Sequence, residues 1–397
     1  MEDVEIASND EVAWADLEMP AAPESSAIRR FYSEWPLGKI MRSATSFALF
    51  SVSILLTVWA FGLLTEGILG GDDAYQVQRK EFRDLTGFDS VTTDGSGVAV
   101  CIVDTGIDLS HPNVPNDIVA GWKDFINSRD APYDDGGHGT SMAGILIADD
   151  HIPGMAQGVE LYVAKAIAKT GTGTDEGIAS AVDWCVEQNV DVISLSLGGS
   201  QGVDFIVVNF DSLENAVNNA IDQGIFVVAA AGNDGENDDG DVSSPGSETD
   251  VICVGGIDSD GDIWSGSSKG DQGVNFPERW LPRNDPNKKP ELVAPGENVP
   301  VLCGDACQNS GGFDSDYVLS DGTSAATVWV TAAIAHLLEI RPDLQHDGTA
   351  GGKDTVSQVK TWIKDTSTPS PEQGEHDDYY GYGHLQIDTL LQIAGQD

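Results

Sequence analysis

A serine behind a glycine opens a long apolar stretch in the C-terminal part of the chain. From Ala325 to Leu338 nearly every residue is apolar or small, and no charge occurs before Glu339. This pattern predicts a helix that is buried on all sides. The free N–H groups of its first turn and the helix dipole favour negative charge near Ser324. The serine therefore stands where a nucleophile would be useful, while the simpler alternative is that Thr323 or Ser324 only caps the helix.

Three other polar residues stand at the ends of predicted elements. Asp104 ends an apolar strand, His138 opens a helix after a Gly-Gly turn, and Asn233 ends another strand. Each of them alone is more often a turn or structural residue. Acyl transfer needs a hydroxyl, an imidazole base, a carboxylate to hold the base and a donor for the oxyanion. With Ser324, these residues complete that set and predict an acyl-transfer site.

Strands and helices alternate along the segment that carries these residues. The predicted strands are apolar runs that end in glycine or a polar residue, at 98–108, 161–168, 190–199, 224–234, 251–258 and 291–296. The predicted helices follow a Gly-rich turn at 136–148 and occupy 175–188, 211–222 and 325–338. The order predicts an α/β fold with a mainly parallel sheet and helices on both faces. Ligands of such folds bind beyond the carboxyl ends of the strands.

Taken together, the motifs resemble the subtilisin-like serine proteases, the subtilase family. The chain order Asp, His, Ser is that of subtilisin. The resemblance covers roughly residues 75 to 395 and rests on motifs in family order. These motifs are IVDTGID around Asp104, HGT with Ala143 and Gly144 around His138, SLSLGG at 194–199, AAAGN ending at Asn233, VAPG at 293–296, GTSAA around Ser324 and YGYG at 380–383.

The resemblance implies a subtilisin-like fold and a serine endopeptidase that needs no cofactor. Ser324 would attack the peptide carbonyl, His138 would take and return its proton, and Asp104 would hold the imidazole. The side chain of Asn233 and the backbone N–H of Ser324 would stabilise the oxyanion.

For the substrate, a protein or peptide, the resemblance implies an extended strand held between two segments of the enzyme. One segment contains Ser196, Leu197 and Gly198, and the other contains Gly171, Thr172 and Gly173. Ser243 would line the primary specificity pocket.

The sequence departs from the family pattern at several places. Val328 and Trp329 stand where Pro-His is frequent after the serine, which changes the packing without removing a catalytic group. Asn113 stands where an aspartate is common, and the segment after His138 is short. A calcium site of the familiar kind is therefore not supported by the sequence, although calcium stays an open alternative, and no residue is assigned as a metal ligand. Asp149 and Asp150 read more simply as solvated acids than as cation ligands.

The charge of the chain is extreme for a folded protein. It has 65 acidic and 20 basic residues, a formal charge of -45, together with 40% hydrophobic residues. The acids are spread over the whole chain, which argues against one basic partner and against nucleic acid. Strong self-repulsion predicts a need for screening by salt, at roughly 1 M where the Debye length is about 3 Å. The sequence therefore predicts a halophilic source.

The N-terminal region predicts attachment to a membrane. Residues 1–42 are polar, acidic and without periodicity, which predicts a mostly disordered tail. Residues 43–69 contain no charge from Ser43 to Thr65 and are long enough to cross a bilayer as a helix. A cleaved signal peptide is the alternative. Basic residues before the span favour an inside N-terminus modestly, so the domain at 70–395 would be extracellular on a single-pass anchor in the cell membrane.

Five cysteines do not make a dense disulfide framework. Cys101, Cys185 and Cys253 lie in apolar segments and are expected to be small core residues. Cys303 and Cys307 could close a short disulfide in an oxidising space, with free thiols as the alternative.

Two functional classes are consistent with the sequence. The first is a membrane-anchored serine endopeptidase, which the four catalytic groups favour. The second is a membrane-anchored protein of the same fold that binds without turnover. The second draws on two features: too few residues for a folded prodomain between the predicted anchor and Val98, and the altered helix after Ser324.

Overall fold

The structure is a computed structural model of the chain and describes residues 74–197, 211–235, 241–274, 281–311, 315–371 and 373–396. The predicted tail at 1–42 and the predicted membrane helix at 43–69 lie outside the described residues. Among the residues described, one helix has the length and apolar composition of a membrane span, Thr323–Ile340, and 89% of it is buried inside the protein. That helix is the core helix that the sequence predicts.

The elements follow one another in an α/β order. The helices are α1 Ala74–Thr86, α2 His138–Ile147, α3 Asp175–Glu187, α4 Asp211–Asp222, α5 Asp305–Gly311, α6 Thr323–Ile340, α7 Lys353–Thr366 and α8 Ile387–Ala394. The strands are β1 Ala99–Asp104, β2 Val119–Asp124, β3 Glu160–Lys165, β4 Val192–Leu195, β5 Phe226–Ala230, β6 Ile252–Ile257, β7 Leu292–Pro295, β8 Val299–Leu302 and β9 Tyr317–Ser320.

A seven-stranded parallel sheet forms the centre of the fold. Its strand order is β2-β3-β1-β4-β5-β6-β7, and every neighbouring pair runs parallel. The chain order reverses at β1, which lies between β3 and β4. Such a reversal opens a crevice at the carboxyl end of the strands, where open α/β sheets bind their ligands. Asp104 is the last residue of β1 and therefore stands at this crevice.

The helix α6 crosses the sheet at its core. It packs against β4, β5, β6 and β7 and against α2, and it is buried from Thr323 to Leu338. The apolar composition on all faces, which the sequence shows, follows from this position between sheet and helix. Its N-terminus points the serine of the GTSAA motif toward the crevice.

Residues 74–86, ahead of the first strand of the sheet, form helix α1. Helix α1 and the short 3-10 turn Phe88–Ser90 after it pack on α6. Phe82 and Phe88 contact the ring of Trp329 edge-on, at centroid distances of 6.2 and 5.3 Å. The Arg79 guanidinium lies 5.7 Å from the same ring and donates from Nη2 to the carbonyl oxygen of Pro300 at 2.7 Å. Trp329, which departs from the family pattern, thus forms part of the surface on which α1 packs.

Two of the three cysteines expected to be separate core residues form a disulfide. Cys101 on β1 and Cys185 on α3 are fully buried and joined, with a separation of 84 residues in sequence. The strand and helix face each other across the sheet surface, so two small apolar side chains come within bonding distance. Cys303 and Cys307 are also joined. Cys253 is the free thiol, and burial raises its pKa far above the ordinary value.

Candidate active site

The site begins with a carboxylate and an imidazole brought together from β1 and α2. His138 Nδ1 lies 2.8 and 2.9 Å from the two carboxylate oxygens of Asp104. Asp104 is 1% exposed, whereas the side chain of His138 is 42% exposed on the crevice side. A carboxylate can only accept, so the neutral imidazole carries its proton on Nδ1. The nitrogen Nε2 is left as the one that takes a proton from a nucleophile.

Close backbone packing sets the distance between these two residues. A β-carbon on Gly139 would collide with the carbonyl oxygen of Gly106, and one on Gly106 would collide with the carbonyl oxygen of Tyr133. Gly106 has φ 122°, which favours glycine. The glycines of the IVDTGID and HGT motifs therefore allow the end of β1 to touch the start of α2.

The nucleophile candidate lies at the N-terminus of α6. Ser324 follows Thr323, the first residue of the helix, and is 6% exposed. Its Oγ donates to the carbonyl oxygen of Ser196 at 3.2 Å, while Ser196 Oγ donates to the carbonyl oxygen of Ser324 at 3.2 Å. The N-cap is Gly322, which offers no side chain to the helix end. Ser324 and Thr323 are thus not caps, and Ser324 lines the same cleft as His138.

The amide of Asn233 is oriented by the residue before the serine. Its Oδ1 accepts from Thr323 N at 3.0 Å and from Thr323 Oγ1 at 2.8 Å. Because two donors fix the oxygen, the Nδ2 donor points the other way. It lies on the side of Gly322, where a β-carbon added at that glycine would be 3.7 Å both from this atom and from the backbone N of Ser324. Asn233 therefore presents a donor beside the backbone of the candidate nucleophile, Ser324.

All four chemical groups line one cleft of about 220 Å³. Of the residues expected to bind substrate, Ser196, Leu197 and Gly171 line it as well. Thr172 and Gly173 belong to the turn after β3, in which Thr172 O accepts from Ala168 N at 2.8 Å, and they do not line the cleft.

Two other expected substrate residues stand apart from the described cleft. Gly198 lies outside the described residues. Ser243 does not line the cleft, but its Oγ lies close to Gly232, the neighbour of Asn233, where an added β-carbon would collide with it. Its role in the specificity pocket stays a prediction.

The electrostatics of the pair favour a charged imidazole. Burial opposes the charged form of His138, but the charge of Asp104, its hydrogen bond and the charge of Asp134 outweigh this effect and raise the pKa above the ordinary value. An imidazolium formed during reaction is stabilised in the same way.

Two residues around the pair were not singled out from the sequence, Asp134 and Thr105. Thr105 donates from its backbone N to Asp104 Oδ1 at 2.6 Å. Asp134 accepts hydrogen bonds from the turn that leads into α2. An acid four residues before the histidine, in a segment with two glycines, was the available signal.

The side chain of Asn113, where a calcium ligand is common, is held by protein groups. Its Nδ2 donates to the carbonyl oxygen of Asp149 at 3.0 Å, and its Oδ1 accepts from the hydroxyl of Tyr317. The expectation about calcium stays a prediction.

Comparison with known proteins decides the family. A sequence model of the subtilase family matches residues 95–383. The chain belongs to the subtilase family. Serine protease AprX of Bacillus subtilis (strain 168) is 35% identical over 322 residues, 77% of this chain and 68% of that protein. Subtilisin DY of Bacillus licheniformis is 31% identical over 302 residues, 75% of this chain and 92% of that protein.

A solved structure shares the fold of this subtilase. A cold adapted subtilisin-like serine proteinase superposes with a TM-score of 0.52 at 23% identity, over 75% of this chain and 89% of that one. The predicted α/β subtilisin-like fold is confirmed. The family match includes Asp104, His138, Asn233 and Ser324 within its bounds.

Proposed function

We propose that this subtilase is a serine endopeptidase that acts through an acyl-enzyme on Ser324. The observation that carries the proposal is the arrangement around one cleft: the Asp104–His138 pair, the Ser324 hydroxyl and the oriented amide of Asn233 all open onto it. Relatives named serine proteases support the same chemistry.

In the first step Ser324 Oγ attacks the carbonyl carbon of the scissile peptide bond. The hydroxyl leaves the carbonyl of Ser196, turns to His138 and gives its proton to Nε2 as the new C–O bond forms. Asp104 accepts from Nδ1 and stabilises the imidazolium. The site needs no metal for this step, because the base and its orienting carboxylate are both protein groups.

The negative charge that develops on the carbonyl oxygen meets two donors. One is Nδ2 of Asn233, held in orientation by Thr323, and the other is the backbone N–H of Ser324 at the positive end of the α6 dipole. Collapse of the intermediate breaks the C–N bond, and His138 returns the proton to the leaving amine. Water then attacks the ester in the same way, with His138 as base, and frees Ser324.

The alternative of a protein that binds without turnover draws no support from the described site. The helix change at Val328 and Trp329 lies on the α1 side of α6, where Trp329 packs on Phe82 and Phe88. It leaves the carboxylate, imidazole, hydroxyl and amide in place. We therefore keep this alternative only as an outcome of the activity test.

Hydrolysis of a denatured protein substrate in molar salt tests the proposal. We expect the full chain to cleave the substrate into peptides and Ser324→Ala to lose the activity. Ser310→Ala is a matched control, because its exposed hydroxyl donates only to Ala306 O within helix α5. Absence of cleavage by folded protein across a set of denatured substrates would contradict an endopeptidase role.

We further propose that residues 43–69 anchor the enzyme in the cell membrane with the catalytic domain outside. The uncharged run from Ser43 to Thr65 supports the anchor. The disulfides Cys101–Cys185 and Cys303–Cys307 support an oxidising, extracytoplasmic location for the domain. Intact mass of the protein from washed membranes is the test. A mass that includes residue 1 supports the anchor, and a chain that begins after the apolar run contradicts it.

The acidity of the domain supports a high-salt setting for the enzyme. With a formal charge of -45, screening at roughly 1 M salt should relieve self-repulsion in the folded state. We expect the melting temperature to rise with sodium chloride over the whole range up to about 2 M. A melting temperature that is highest at low salt would contradict a halophilic adaptation.

A further inference from the structure

Asp134 is the centre of a hydrogen-bond network beneath the catalytic pair. Its two oxygens accept five hydrogen bonds. Oδ1 accepts from Gly136 N at 3.0 Å, Gly137 N at 2.7 Å and Thr105 Oγ1 at 2.8 Å, and Oδ2 accepts from Thr140 N at 2.9 Å and Thr140 Oγ1 at 2.6 Å.

This carboxylate takes over the capping of α2. The N-cap residue is Gly137, which makes no side-chain cap hydrogen bond and has φ 90°. The first-turn N–H of Thr140 donates to Asp134, and that of Gly139 donates to Thr105 Oγ1 at 2.8 Å. A negative charge at a helix N-terminus is also favoured by the dipole. Asp134 and Thr105 together hold the helix end that carries His138.

Thr105 and Asp134 are also connected to Asp104, the other member of the pair. Thr105 follows Asp104 directly and donates from its backbone N to Asp104 Oδ1 at 2.6 Å. The hydroxyl of Thr105 accepts from Gly139, the neighbour of His138, while it donates to Asp134. A closed ring of contacts therefore runs from Asp104 through Thr105 and Asp134 to α2 and back through the imidazole. Asp134 is thus connected by hydrogen bonds to the elements that carry both ends of the Asp104–His138 hydrogen bond.

We propose that Asp134 is a positioning residue of the catalytic pair, which fixes His138 against Asp104 and adds its negative charge to the field at the imidazole. The proposal deepens the proposed hydrolytic function, on which it rests for its kinetic consequences. Asp134 does not line the catalytic cleft, so it acts through His138 and not on substrate.

Other charged groups lie around this network, but their hydrogen bonds go to other partners. Lys165, fully buried at the end of β3, pairs with Asp135 at 2.7 Å and donates to the carbonyl oxygen of Thr105. On the side of α5, a β-carbon on Gly137 would meet Cys307, and the Asp305 backbone N donates to Asp108. The charges of Asp104 and Asp134 raise the pKa of His138, and Asp321 is a further acid that lines the same cleft.

Asp134→Asn is the central variant because it keeps the shape and removes the charge. Donors approach both oxygens, so an amide must point its own N–H group at a donor in either orientation. We expect kcat to fall about ten- to a hundredfold, with KM changed less than about threefold, since a displaced base harms the reaction step more than binding. The acidic limb of the pH–rate profile moves to lower pH, since the loss of a nearby negative charge lowers the pKa of His138.

Asp134→Glu separates geometry from charge. It retains the negative charge on a longer arm, so we expect a loss of kcat with little movement of the acidic limb. Asp130→Asn is the matched control, because Asp130 is an exposed acid in the same loop. It should leave kcat unchanged and hardly move the limb. Circular dichroism and thermal melting identify variants that fail to fold.

A second readout does not need hydrolysis. The imidazole signal of His138 is titrated by NMR in Ser324→Ala protein, with and without Asp134→Asn, and is identified by its absence in His138→Gln. A lower pKa in the doubly substituted protein supports the proposal even if no substrate is cleaved, in which case only the proposed hydrolytic function fails. An unchanged His138 pKa, or a kcat in folded Asp134→Asn protein within about twofold of the parent, overturns the proposal.

Discussion

Thr323 holds the amide of Asn233 in a single orientation, with its backbone N–H and its hydroxyl both on Asn233 Oδ1 at 3.0 and 2.8 Å. The residue before the proposed nucleophile thus orients the donor that we assign to the oxyanion. The hydroxyl of Thr323 also lies 3.2 Å from the backbone N of Gly232, so the end of the β5 segment and the start of α6 are joined at this point. Positioning of the donor is built into the contact between two elements.

Removal of the Asn233 donor should lower kcat more than loss of its orientation does. Asn233→Ala should lower kcat on the order of a hundred- to a thousandfold, a magnitude taken from the corresponding substitution in subtilisin. Thr323→Val removes one neutral hydrogen bond to Oδ1 and should cost about tenfold or less. Thr331→Val is the control, because its hydroxyl donates to Thr327 O in the same helix and does not reach Asn233. An equal kcat for Asn233→Ala and the parent would contradict the assignment of the oxyanion donor.

The pH dependence follows from the raised pKa of His138. Attack requires the neutral imidazole, so the acidic limb should lie above the ordinary histidine pKa of about 6.5. Salt between about 0.1 and about 1 M shortens the Debye length from about 10 to about 3 Å and should move the limb toward lower pH. Part of the rise should persist, because Asp104 is buried against the ring. Profiles of kcat/KM in folded protein at both salt concentrations are the measurement, and coincident limbs would contradict the prediction.

Trp329 should be a large contributor to stability. It is fully buried and packs on Phe82, Phe88 and Arg79. Trp329→Ala should lower the free energy of unfolding by about 3 to 5 kcal/mol. It should also raise the rate of amide hydrogen exchange in α1, because that helix loses the ring on which it packs. Leu319→Ala, at a side chain that is 44% exposed, should stay within about 0.5 kcal/mol of the parent. Denaturant unfolding in molar salt measures both, and similar values for the two variants would contradict the role of Trp329.

The two disulfides should contribute unequally. Cys101–Cys185 closes a loop of 84 residues and should stabilise the fold by about 4.5 kcal/mol in a chain-entropy estimate. Cys303–Cys307 spans 4 residues and should stabilise it much less. Both cysteines of one bridge are replaced by alanine in each variant, and the free energies of unfolding of the two variants are compared by denaturant unfolding. Each variant serves as the control for the other. Alkylation of the unfolded, unreduced parent should find one thiol, at Cys253. Five thiols would contradict the pairing, and equal losses for the two pairs would contradict the dependence on loop length.

The sequence predicts those features of the fold that repeat along the chain or belong to ordered motifs. The run from Val98 to Asp108 and the helix after Ser324 are found as β1 and α6, because apolar periodicity reports burial directly. The Asp104–His138 contact is found because one motif ends β1 and the other begins α2 at the carboxyl edge of the sheet. Their order along the chain carried the information.

Features that depend on distant partners could not be predicted. Helix α1 has a polar sequence with few apolar residues, which does not predict burial. Its order follows from its packing on α6, where Phe82 contacts Trp329. Nothing in the local sequence marks Lys289, Glu291 and Lys360 as buried charges. All three are fully buried, with both lysines 2.8 Å from Glu291 Oε1. The pairing of Cys101 with Cys185 likewise required the packing of α3 on β1.

Labelling by a fluorophosphonate probe in molar salt tests most directly whether the catalytic groups act together. The probe forms a bond only with a serine that an assembled base has activated. We expect that one serine is labelled, that peptide mapping places it at Ser324, and that heat denaturation or Ser324→Ala abolishes the label. Folded protein that stays unlabelled, or a label at another serine, would contradict the assignment of Ser324 as the nucleophile.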